Sequence, residues 1–200
     1  MGSTYETLLV AAEFQATVDA LRDAGVTAVV VPLADERVAV VPAEGDRDSA
    51  PVRSIGKDLS VRLGRPALAM YVFDSDLIRL YVVRDGETVH TYISDVEMTV
   101  EMFEDDDGQF HPMIDNVVYP VDFEIPEGPI GDDPEAFAPF AAGPLDVDAV
   151  GTALRDSPYV MAETQHWAII EALGLPPRAL TTAYRHCDPS DFPAAVLVHS

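Results

Sequence analysis

The chain has one cysteine, Cys187, and one lysine, Lys57, among its 200 residues. A single thiol excludes an intrachain disulfide and a zinc ribbon, and makes a reducing compartment the default. No apolar run approaches the roughly 18 residues of a membrane-spanning helix. The N-terminus shows no basic segment followed by an apolar stretch, so no secretory leader is expected and the protein is assigned to the cytoplasm. Phosphate-cradling loops of the G-x-x-x-x-G-K-[ST] and G-x-G-x-x-G kinds are missing, as is a G-x-S-x-G elbow. These absences count against the commonest nucleotide-using and hydrolytic enzymes, and no cofactor is expected.

The largest absence is of positive charge. Residues 85–154 contain no Lys or Arg but hold eighteen Asp and Glu, out of a formal net charge of −23 for the whole chain. The acidity is uneven, with a net −7 over residues 1–100 and −16 over 101–200. Charge of this kind acts on partners and solvent rather than on fold. It argues against nucleic acid or an anionic membrane as ligand, since both need a cationic face. A basic protein is the natural partner. The competing explanation is solubility in an acid-biased proteome, and the excess of Arg over Lys fits a GC-rich coding bias. With 48% hydrophobic residues the chain has material for a core and is not expected to be disordered.

Apolar patterning predicts β-α-β-β-α-β-β-β over the first half. Thr4–Ala12 reads as a strand, and Glu13–Ala24 as a helix with Phe14, Val18 and Leu21 on one face, stopped at Gly25. Thr27–Leu33 and Arg37–Pro42 form a hairpin, and Val52–Leu63 a second helix ended by Gly64 and Pro66. Leu68–Phe73, Leu77–Val83 and Thr88–Ile93 follow as strands, with Asp85-Gly86 as a hairpin turn. Asp95–Phe103 alternates, which predicts a further half-buried strand with Val96, Met98, Val100 and Met102 inward and Glu97 and Glu101 outward. Seven prolines between Pro112 and Pro144 exclude long helices there. The last part is helical near 145–154 and 160–173, with a short helix at 178–186 and an apolar tail at 194–198.

The fold class expected is therefore α+β: a mostly antiparallel sheet with two covering helices, a βαββαβ-like core with added strands, and a helical C-terminal part. A sheet domain at 1–103, an acidic irregular strap at 104–144 and a helical portion at 145–200 would form one compact unit.

Few residues offer chemistry. Asp74-Ser75-Asp76 places two carboxylates together and could hold a divalent cation in a metal-dependent enzyme, but lacks a third ligand; turn chemistry is the plainer reading. The run Glu104–Gly108 fails the EF-hand pattern, because counting from Asp105 puts Phe110 sixth and Asn116 twelfth where Gly and Glu are required. Glu163 and His166 have the spacing of half a di-iron site, without the second copy such a site needs. Cys187 with His186, Asp188 or a distant His111, His90 or His166 has the residue types of a thiol catalyst, though a lone cysteine is ordinarily a small buried hydrophobe.

What remains is the acidic surface. Glu97, Glu101, Glu104, Asp105, Asp106, Asp107 and Asp115 would attract a basic partner, and Phe110 and Tyr119 would supply apolar anchors. Carboxylates two residues apart on a strand, roughly 6.6–7 Å from each other, would also suit mimicry of nucleic-acid phosphates.

Tyr71-Val72-Phe73-Asp74-Ser75-Asp76, the Arg84-Asp85-Gly86 turn, Glu171-Ala172-Leu173-Gly174-Leu175-Pro176 and Ala183-Tyr184-Arg185 together resemble a pattern in small acidic bacterial proteins of the immunity-protein type. The match covers about a third of the chain and carries no catalytic residue. It implies a non-enzymatic role, blocking a basic toxin, nuclease or DNA-binding protein. A structural subunit packing its acidic strap on another chain is the remaining alternative.

Overall fold

Leu8, Leu9 and Val10 are all fully buried, which requires cover on both faces of the strand that carries them. That strand is β1 (Tyr5–Val10), at the centre of the sheet in a computed structural model that describes residues 2–45, 49–155 and 161–199. It is followed by α1 (Phe14–Asp23), β2 (Ala28–Ala34), β3 (Arg37–Pro42), α2 (Val52–Leu63) and β4 (Ala67–Phe73). Then come β5 (Leu77–Arg84), β6 (Glu87–Ile93), β7 (Glu101–Glu104), β8 (Phe110–Ile114) and β9 (Val117–Val118). The chain ends with α3 (Val147–Arg155), α4 (Ala162–Ala172) and β10 (Val196–Val198).

Local chemistry sets the boundaries. The Glu13 carboxylate accepts from the Ala16 N–H and opens α1, and Gly64, at φ 60°, closes α2. The β4–β5, β5–β6 and β8–β9 hairpins each turn on two consecutive residues of positive φ: Asp74-Ser75, Asp85-Gly86 and Asp115-Asn116. This is the turn geometry that suits the twist of paired strands.

The class is α+β. One seven-stranded antiparallel sheet has the order β10-β2-β3-β1-β4-β5-β6. Its β2-β3-β1-β4 portion is the split βαβ arrangement suggested by the element order. β5 and β6 extend one side. The apolar tail extends the other as β10, pairing Val196–Val198 with β2.

α1 and α2 lie on one face, with Val18, Leu21 and Leu59 packed against Leu8, Val10, Val30 and Val40. Gly56 lets α2 sit close, since a Cβ there would come within 3.2 Å of the Leu8 side chain. The opposite face carries the C-terminal layer. There Phe137, Phe140, Leu154, Ile169 and Ile170 cover Leu9, Leu68, Met70 and Leu80. Three buried polar side chains at this interface are satisfied: Gln165 Nε2 donates to Tyr92 Oη and Ala153 O, Tyr92 Oη donates to Leu154 O, and Thr7 Oγ1 donates to Leu180 O. Glu163 Oε2, by contrast, is buried with no hydrogen-bond partner among the described residues.

The predicted strand at 95–103 is broken. Val96 and Thr99 are buried around a 3-10 turn at Glu97–Thr99, and β7 begins only at Glu101. The alternation could not reveal this, because neither face of β7 is covered. The predicted helix at 178–186 is instead two 3-10 turns, Arg178–Thr181 and Tyr184–His186. Among the described residues, no helix is long and apolar enough to cross a membrane.

Candidate functional site

β7, β8 and β9 form a separate three-stranded antiparallel sheet, with Glu101 opposite Met113, Glu104 opposite Phe110 and Ile114 opposite Val117. Its β7–β8 turn is built by Asp105. One carboxylate oxygen accepts from the backbone N–H groups of Asp107 (3.0 Å) and Gln109 (2.9 Å). The other accepts from His111 Nε2 at 3.0 Å, and His111 Nδ1 donates to Tyr119 O at 3.1 Å. Both ring nitrogens then act as donors, which is the bonding of an imidazolium. Accordingly the Asp105 carboxyl is held below its ordinary range by the Gln109 and His111 hydrogen bonds, and Asp105 raises His111.

A histidine raised above its unfolded value contributes most below about pH 6.5, and that contribution fades as pH rises through the folded value. The His111 ring is therefore expected to titrate above 6.5 by NMR, and to move back toward it in Asp105→Asn. Amides of the β7–β8 turn should lose exchange protection in the same variant. An unchanged His111 titration would show that the two side chains are not coupled.

Asp115 is also engaged. Its αL turn position aims the carboxylate back at the main sheet, where Tyr81 Oη donates at 3.1 Å and Arg53 Nη1 lies 3.3 Å away. Arg53 in turn stacks on the Tyr81 ring, 4.3 Å from its centroid. Asp115 thus docks the small sheet on the large one. Tyr119 stacks on Phe123 with centroids 4.1 Å apart and packs against a satellite cluster containing Leu77, Ile93, Val96 and Ile114.

The remaining residues named from sequence stay on the surface. Glu97, Glu101, Glu104, Asp106 and Asp107 are exposed, and Phe110 is 55% exposed. Glu97 belongs to the 3-10 turn and Glu101 to β7, so they do not share the one strand expected for them. Met98 and Met102, assigned from alternation to a buried face, are 51% and 58% exposed. Phe103, Val117, Val118 and Val121 are exposed as well. Alternation places Met98 and Met102 inward only if one face of the strand is covered, and here neither side chain is covered. Their signal was available in the density of large apolar residues between so many carboxylates.

The other candidates resolve into structural roles. Asp74 and Ser75 form the β4–β5 turn; Asp74 Oδ1 accepts from Gly2 N, and Ser75 Oγ donates to Glu163 Oε1. Among the described residues, no group of three or more His, Cys, Asp and Glu is placed to hold a metal ion, so Asp74 and Asp76 find no third ligand. His166 is fully buried between Tyr5 and Met70. The Cys187 thiol is buried and pushed up to about 11 by burial and by Asp188 and Asp191, the reverse of an activated nucleophile.

No protein-family model, curated protein or solved structure matches the chain.

Proposed function

We propose that this chain is a non-enzymatic binding or inhibitory protein whose β7–β9 sheet captures a basic protein partner. The observation that carries the reading is the coincidence of exposed Met102, Phe103, Phe110 and Val118 with exposed Glu101, Glu104, Asp106 and Asp107. No Lys or Arg interrupts residues 85–154. Acid bias in a proteome accounts for the carboxylates but leaves the clustered apolar side chains unexplained.

The chemistry divides between the two kinds of residue. One-sign charge speeds encounter by about 10–10³ at low salt, and buried apolar anchors set residence time. β7 also has an outer edge that pairs with no other described strand. Glu101 and Glu104 on that edge repel a second acidic strand and favour a basic one, so strand addition is the recognition mode the edge suits. Immunity toward a basic toxin or nuclease, or sequestration of a DNA-binding protein, is the concrete form, and the resemblance to immunity-type proteins agrees with it.

The test starts from a photo-crosslinker at position 110, used to identify the partner in the source organism. Association is then measured against salt. Combined Glu104→Gln, Asp106→Asn and Asp107→Asn is expected to slow association about tenfold or more at low salt, with dissociation little changed. Asp105 is left intact because it builds the turn. Phe110→Ala should instead speed dissociation. An acidic partner, or an association rate indifferent to the three neutralised carboxylates, would overturn the reading.

A further inference from the structure

The helix face of the main sheet is not fully covered. α2 starts at Val52, and beyond its first turn the sheet presents a lateral row in which Glu6 of β1, Tyr71 of β4 and Arg79 of β5 are Cα partners. Under the helix body the same face carries Ala67 and Ala69, which allow close packing. Past the helix start it turns polar and aromatic. The result is an open cavity of about 580 Å³, walled by Arg53 and Lys57 from α2 and floored by Glu6, Tyr71, Arg79 and Tyr81. Its size is that of a small-molecule site.

The charges in this cavity are unlike those of the rest of the molecule. The chain has only 12 Lys and Arg, and three of them converge here. Arg53 is held by Asp115, and Lys57 Nζ lies 3.7 Å from an exposed Glu87. Arg79 has no carboxylate within ion-pair distance among the described residues, and its buried Nε has no hydrogen-bond partner. The Arg79 guanidinium lies beside the Tyr81 phenol, whose pKa it lowers against the larger upward effects of burial and Asp115. A half-buried cation with an orphaned donor is costly unless something else satisfies it. A guanidinium fork matches an oxyanion in geometry as well as charge, and Lys57 adds a second cation at the cavity wall. The Tyr71 ring and Pro51 give a flat apolar surface beside that point.

Glu6 forms the far side of the row. Ser49 Oγ donates to it at 3.0 Å and the Ala50 N–H also donates to it, so it is fixed in place at the end away from Arg79. Two strand spacings of about 4.8 Å separate it from the cation. The oxyanion is thus directed to the Arg79 end of the cavity.

We propose that this cavity binds a small organic oxyanion, a phosphate or carboxylate carried on a flat apolar body, with Arg79 and Lys57 holding the head group and Tyr71 the body. The site is separate from the acidic β7–β9 surface in ligand class, and it does not depend on the protein-capture reading. The two meet at Arg53 and Tyr81, which line the cavity and hold Asp115, and at Arg79, which also lines a small pocket with Glu101 and Asp115.

Phenyl phosphate, benzoate and inorganic phosphate are titrated into the full chain while the arginine Nε–H resonances are followed by NMR. Phenyl phosphate or benzoate is expected to bind with a Kd below about 1 mM and to shift the Arg79 Nε–H signal. The tighter of the two identifies the head group. Arg79→Gln should weaken binding at least about tenfold. Lys57→Gln, at a solvent-facing helix position, should weaken it several-fold without touching the core. It keeps the test valid if Arg79→Gln fails to fold. No binding by either organic anion at about 10 mM, binding indifferent to both variants, or inorganic phosphate binding as tightly as phenyl phosphate would each overturn the proposal.

Discussion

Phe140→Ala is expected to cost about 3–5 kcal/mol of stability and to lower the melting temperature by roughly 10 °C. Phe140 ends a 3-10 helix, Pro134–Phe140, and its ring is fully buried in the core between the sheet and the C-terminal layer. Removing it deletes transfer free energy and leaves a cavity that rigid neighbours cannot close. The sheet behind it is held by its hydrogen-bond ladders, and α3 and α4 by each other. The same core contains Leu9 and Met70 from the sheet and Ile169 and Leu180 from the C-terminal part, so the variant should melt in a single transition. Calorimetry checks this. A lower first transition with an unchanged second one would mean that the C-terminal layer unfolds independently of the sheet.

His166→Gln is expected to remove a large component of acid sensitivity. The imidazole is fully buried, with Tyr5 Oη 2.9 Å from Nδ1 and Met70 Sδ 3.2 Å from Nε2. If the phenol donates to Nδ1, the ring proton sits on Nε2 and faces the sulfur, and the neutral ring is satisfied. Burial lowers its pKa from 6.5 to about 3. The sign follows from linkage: the unfolded chain takes up a proton near pH 6.5 that the folded chain refuses until about pH 3. Stability from this group is therefore complete above about pH 6.5 and is lost as pH falls, reaching about 3 kcal/mol at pH 4. Protonation of surface carboxylates acts oppositely over the same range by relieving repulsion. The informative quantity is the difference between wild type and variant. Denaturant unfolding from pH 7 to 4 should show the wild type losing about 3 kcal/mol relative to His166→Gln. Glutamine can still accept from Tyr5, so the cost at pH 7 should be only about 1–2 kcal/mol. Parallel pH profiles for the two proteins would mean that the folded ring takes up its proton at the same pH as the unfolded one.

Much of the fold was legible because it is written in short-range terms. Helical spacing at Val52, Ile55, Leu59 and Leu63 with a following glycine located α2, and β-branched runs on either side of Ala34-Asp35-Glu36 located the β2–β3 hairpin. Such patterns depend on dihedral preference and on one covered face, and a reader of the chain can see both. The β1-to-β4 element order also limited the sheet to few topologies.

The surface was legible only in part. Glu104, Asp106, Asp107 and Phe110 stand where the charge pattern placed them, exposed on the small sheet. Asp105, Asp115 and Tyr119 do not, since they are used to build and dock that sheet. Nothing in composition distinguishes Asp105 from Asp106. The difference is that Asp105 begins the turn, within reach of two backbone donors and His111.

Length, charge and periodicity thus determined the α+β class, the core strands and the acid surplus over residues 85–154, since each depends on residue type and near neighbours. Tertiary structure alone decided which carboxylates remain free, that apolar side chains stand exposed among them, and that Glu6, Tyr71 and Arg79 form one row across three strands. Those outcomes depend on which segments meet across 65 and 8 residues of chain, from Glu6 to Tyr71 and from Tyr71 to Arg79. Pairing register is set by the whole core, and no local window contains it.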